Sequence, residues 1–174
     1  MARLKCYENF APPEVQMPAP FAPTGPSPLA GPSAAQTIGD WRLVRTPNPR
    51  GGREAISITR PGDLAGSDPD FVGLMVRCAE PDIEVLLVML RPLSFRAHPS
   101  VSVNGTKFES SVVPPGLNIL LPRDVAEMAT LQWPMLPRLN LEVDDAGKTT
   151  KGLVALDGFD LALKALNSAC LLRQ

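Results

Sequence analysis

The 174-residue sequence holds one histidine, one tyrosine, two tryptophans and three cysteines, and aromatic residues make up only 5% of it. So little histidine and cysteine leaves hardly any ligand set for a metal centre and little for histidine-dependent catalysis. Neither Gly-x-x-x-x-Gly-Lys-Ser/Thr, Gly-x-Gly-x-x-Gly nor Gly-x-Ser-x-Gly occurs, so phosphate-loop, dinucleotide and serine-elbow chemistries lack their motifs. No stretch approaches the roughly 18 apolar residues of a transmembrane helix. The longest strongly apolar run, Val85–Leu90, has the length of a buried strand. Blocks of like charge are absent too, and the formal charge is −1, which speaks against nucleic acid as a partner.

Proline is what the chain has in excess, with 20 residues. At about 3 kcal/mol for each proline inside a helix, this excess argues against an all-helical bundle. The 44% hydrophobic fraction is enough for a real core. Eight of the prolines fall between Pro12 and Pro32, among Ala, Gly, Ser and Thr. Proline fixes φ and removes a donor, so residues 1–36 read as a disordered, partly polyproline-II tail and 37–174 as the folded domain. Met1–Ala11 has no signal-peptide hydrophobic region, since Lys5, Glu8 and Asn9 interrupt it. Taken from Met1, the chain reads as cytoplasmic. A spacer that starts almost at residue 1 has nothing to space from, so a signal or anchor is expected upstream.

The folded part reads as short strands between turn residues: Trp41–Thr46, Ala55–Thr59, Phe71–Cys78, Ile83–Arg91, Lys107–Val113, Leu117–Leu121, Leu139–Val143 and Gly152–Leu156. Asn104-Gly105, after Val101 and Val103, is the strongest hairpin signal, and Asp144–Gly147 marks another hairpin. Strands at this spacing predict a mainly β, antiparallel sandwich or squat barrel. At the end the period changes. Leu156, Phe159, Leu163, Leu166 and Cys170 recur at three and four, predicting one C-terminal helix over about Gly158–Leu171 with Asp157 as its N-cap. Burying Phe159, Leu163 and Leu166 is worth roughly 5–9 kcal/mol gross, so the helix belongs to the fold.

Cys78 ends an apolar strand and Cys170 faces the sheet from the helix. Spacing leaves two readings open, a bridge or two buried free thiols. Cys6 lies apart in the tail. Arg50-Gly51-Gly52-Arg53 sets two guanidinium groups around a glycine turn, which suits a small anionic ligand or merely a solvated loop. His98 has Ser94 and Ser100 nearby in sequence, but neither sits in the strained turn with an oxyanion hole that a triad needs. Asp144 and Asp145 lack the further ligands of a calcium loop. No enzyme, cofactor or metal site is therefore expected.

Leu74-Met75-Val76-Arg77-Cys78 and Gly158-Phe159-Asp160-Leu161-Ala162-Leu163, leading to Cys170, resemble motifs of small exported proteobacterial proteins. The families are the invasion-associated locus B type and the type VI secretion accessory proteins. The resemblance spans about residues 40–172. It implies a β-sandwich with a C-terminal helix, export to the periplasm or envelope, and a Cys78–Cys170 disulfide; Cys6, apart in the tail, is expected to stay free. Together with the missing catalytic constellation and the proline spacer, it leads to the expectation of a non-enzymatic binding or accessory role toward an envelope or secretion-system protein. Two features differ from those families: no signal peptide is present, and a mid-chain cysteine pair common in the invasion-associated proteins is absent.

Overall fold

The computed structural model describes residues 35–47, 53–79, 82–94 and 96–171. The proline-rich segment, Cys6 and Arg50 lie outside them. Eleven strands are β1 (Gln36–Ile38), β2 (Trp41–Thr46), β3 (Ala55–Pro61), β4 (Phe71–Cys78), β5 (Ile83–Met89), β6 (Ser100–Val103), β7 (Thr106–Glu109), β8 (Ser111–Val113), β9 (Asn118–Leu120), β10 (Arg138–Asp145) and β11 (Lys148–Ala155). The helices among the described residues are α1 (Arg123–Leu131) and α2 (Phe159–Leu171), with a 3-10 turn at Trp133–Met135.

The strands form two antiparallel sheets, a seven-stranded one ordered β1-β2-β3-β4-β5-β9-β8 and a four-stranded one ordered β11-β10-β6-β7. Period-2 alternation turns Trp41, Leu43, Ile56, Ile58, Leu74, Val76, Val85 and Leu87 of the large sheet into one core. Val101, Val103, Leu139, Leu141 and Val154 of the small sheet meet them there, as do Phe159, Leu163 and Leu166 of α2. The Trp41 and Phe159 ring centroids lie 5.0 Å apart, and Trp133 adds a second tilted contact at 5.9 Å. The expected β-rich sandwich with a C-terminal helix is the observed fold.

The apolar run in β5 serves both faces of the sheet. Val85, Leu87 and Met89 point to the core, while Leu86 packs between Met75 and Leu120, its cross-strand neighbours on the other face. Two hairpins turn on left-handed pairs, Asn104 (φ +50°) with Gly105 (φ +88°) and Ala146 (φ +47°) with Gly147 (φ +83°). Both pairs match the right-handed twist of the strands they join.

Three local expectations change. The single strand Lys107–Val113 is two, because buried Ser110 bends the chain: its Oγ donates to the Pro99 carbonyl at 2.6 Å. β7 thus belongs to the small sheet and β8 to the large one. Asp157 does not hold the N-cap position, since α2 starts at Phe159 behind Gly158 at φ +72°. Its carbonyl instead accepts from Trp41 Nε1 and Arg60, each at 3.1 Å. Finally, α1 is a helix that the residue pattern does not predict.

Candidate functional site

The β4–β5 hairpin, the start of β8, the Leu120–Ala126 segment and the last turn of α2 converge at one end of the molecule. Between them lie two adjoining cavities of about 530 Å³ each, and Asp82, Ile83, Arg123 and Ala126 line both. Together they make one open groove across the start of α1.

Each wall has a local cause. Ala79 donates its N–H to the Asp82 carbonyl at 2.8 Å, which closes the hairpin and sets Asp82 and Ile83 at the groove. Pro122 precedes α1 in an extended conformation (φ −66°, ψ 163°), and its fixed φ with no N–H suits the residue before a helix. Val125, Ala126 and Ala129 of α1 are buried, which docks the helix beside β5 and leaves Glu127, Thr130 and Leu131 along the groove. The far wall is fixed covalently. Cys78 and Cys170 form a disulfide with Cα atoms 5.9 Å apart, within the usual range, closing a span of 92 residues. Cys170 lines the groove with Asn167 and Leu171.

The groove's floor is apolar and its rim acidic. Arg123 pairs with Asp82 at 2.6 Å and with Glu127, one turn along α1, at 3.8 Å. Glu84 is bound across the strands by Arg77, whose Nε donates at 2.6 Å. Glu109 has no ion pair among the described residues. Leu131 and Leu171 line the groove while 70% and 66% exposed. Such a surface recognises a partner by shape, apolar contact and charge.

The sites expected from the sequence lie elsewhere. Arg53 is exposed just before β3, and Arg50, the other residue of the expected anion site, lies outside the described residues. Arg60, at the end of β3, serves the fold. Its side chain is only 10% exposed, pairs with Asp40 at 3.0 Å and sits 5.9 Å from the Trp41 ring. His98 is exposed and makes no hydrogen bond to Ser94 or Ser100 among the described residues. Asp144 accepts from the Thr149 hydroxyl at 2.5 Å and faces Lys107 at 3.7 Å, a hairpin brace. Among the described residues no helix is long and apolar enough to cross a membrane. Among the described residues that the sequence singled out, Cys170 lines the groove and is tied there to Cys78.

A second charged cluster lies at the opposite end of β4. Asp70, 14% exposed, accepts from Lys148 Nζ at 2.5 Å and meets Arg91 Nε at 2.9 Å. The Lys148 hydrogen bond holds its carboxyl below the usual range against the opposing effect of burial, and the Arg91 charge adds to the lowering.

Comparisons of the chain with protein families, with curated proteins and with solved structures find no match.

Proposed function

We propose that the chain is a non-enzymatic binding module that works outside the cytoplasm, in the periplasm or envelope, and engages a partner protein of the envelope or secretion machinery through the groove beside the disulfide. The observation that carries the reading is the Cys78–Cys170 bridge at the groove wall. Disulfides of this structural kind form and persist in oxidising compartments. The motifs shared with the invasion-associated locus B and type VI secretion accessory proteins agree with export, and the proline-rich segment suits a spacer between an anchor and the sandwich.

The groove's composition favours recognition over chemistry. Of its four described carboxylates three are engaged by arginine, and its floor is made of Ile83, Leu121 and Ala126. The test is compartment and thiol state in the cell, read by fractionation after acid quench and maleimide labelling. The expected result is protein in the periplasmic or envelope fraction whose Cys78 and Cys170 label only after reduction. Protein in the cytosolic fraction, with both thiols labelling directly, would overturn the proposal.

A further inference from the structure

We infer that the groove receives a basic amphipathic segment of the partner protein, with apolar side chains on the groove floor and lysine or arginine against its rim. The inference rests on the binding-module reading above and adds the chemistry of what is bound.

Charge is the first ground. Among the described residues, Asp82, Glu84, Glu109 and Glu127 line the groove against one guanidinium, Arg123. Counting Arg77, which neutralises Glu84 from the neighbouring strand, the surface keeps a formal charge of −2. Arg123 is held between Asp82 and Glu127, so its charge is already engaged. An acidic segment would meet uncompensated carboxylates, whereas a basic one would find them.

Apolar surface is the second ground. Leu131 and Leu171 offer most of their side chains to solvent, next to the half-buried Ile83 and the wall residue Cys170. A purely charged ligand would leave them wet, and a purely apolar one would ignore the rim. Only a segment carrying both uses the whole surface. The third ground is rigidity. The disulfide fixes the last turn of α2 to β4, and the apolar face of α1 is packed into the core, so little ordering accompanies binding.

The probe is a fluorescent peptide of about 15 residues with leucine at helical period and lysine elsewhere, titrated into the full oxidised chain. Matched Leu/Glu and Ser/Lys peptides are the controls. The Leu/Lys peptide should bind, with each control at least about tenfold weaker and the complex loosened by salt. Leu131→Ser/Leu171→Ser and Glu109→Lys/Glu127→Lys should each weaken it by about tenfold, with thermal melts unchanged. The two pairs probe the apolar and acidic contributions separately, so a folding failure in one leaves the other decisive. Binding indifferent to both pairs, or no binding, would overturn the inference. Preference for the Leu/Glu peptide, abolished by Leu131→Ser/Leu171→Ser, would refute the partner's charge while leaving the binding module standing. Export itself is decided separately, by the thiol and fractionation test.

Discussion

β4 runs eight residues from Phe71 to Cys78, and its two ends are finished by different chemistry. At the Phe71 end the loop 62–70 lies along β11 as though it were another strand. Asp63 and Asp68 donate N–H to the Leu153 and Lys151 carbonyls at 2.7 and 2.9 Å, and Asp68 Oδ2 accepts from Lys151 N at 2.7 Å. Ser67 completes the seam by accepting from Leu153 N at 2.9 Å. The edge of the small sheet is thereby covered, and Asp70 ties the loop to Arg91 and Lys148. At the Cys78 end the wall is held by a covalent bond, and the surface beside it stays open and apolar, with carboxylates that outnumber the arginines paired to them. The difference separates roles. Polar groups that satisfy one another have little left for a ligand, whereas a cross-linked wall holds an unsatisfied surface in place.

Breaking the Phe71 end should cost the most. The Phe71 ring lies against the backbones of Gly62 and Gly152, where an added Cβ would approach it to 2.7 and 2.8 Å. Phe71→Ala should therefore destabilise by about 3–5 kcal/mol in denaturant titrations, since that close fit leaves a cavity behind. Cys170→Ser should cost about 2–5 kcal/mol under oxidising conditions and much less in reductant. If oxidised and reduced protein melt together, the bridge contributes only packing.

Asp70→Asn gives a smaller, pH-dependent loss. Its folded pKa is depressed, so its contribution is present above the unfolded value of about 3.9 and disappears as pH falls through the folded value. The gap in Tm between wild type and Asp70→Asn should be open at pH 7 and close at strongly acid pH. A gap constant with pH would mean that the charge is not what matters. Leu131→Ser should change stability least, within about 0.5 kcal/mol, because its side chain is mostly in water. A larger loss would make Leu131 part of the core.

Much of the fold is legible in the residues. Trp41–Thr46 and Phe71–Cys78 are strands with the bounds their patterns predict, because flanking loops and alternation agree. α2 announces itself by large side chains at three and four. α1 does not: its buried positions are Val125, Ala126 and Ala129, and alanine gives too weak an apolar signal to stand out from a polar segment. Pro122 before Arg123-Asp124, with Trp133 continuing the Val125/Ala129 spacing, was the available clue. The β7–β8 break is hidden because it depends on Ser110 meeting a carbonyl eleven residues back. The groove has no sequence signature at all. Its walls come from residues 79, 82–84, 109–111, 120–131 and 167–171, joined only by folding and the disulfide.

The claim that one end of β4 supports the fold while the other binds is tested most directly by amide hydrogen exchange. The full oxidised chain is followed residue by residue, with and without the Leu/Lys peptide at saturation. Added protection should fall on 82–84, 109–111, 120–131 and 167–171, leaving 62–70 and 148–153 as protected as before. Protection centred instead on the loop 62–70 and β11 would contradict the account.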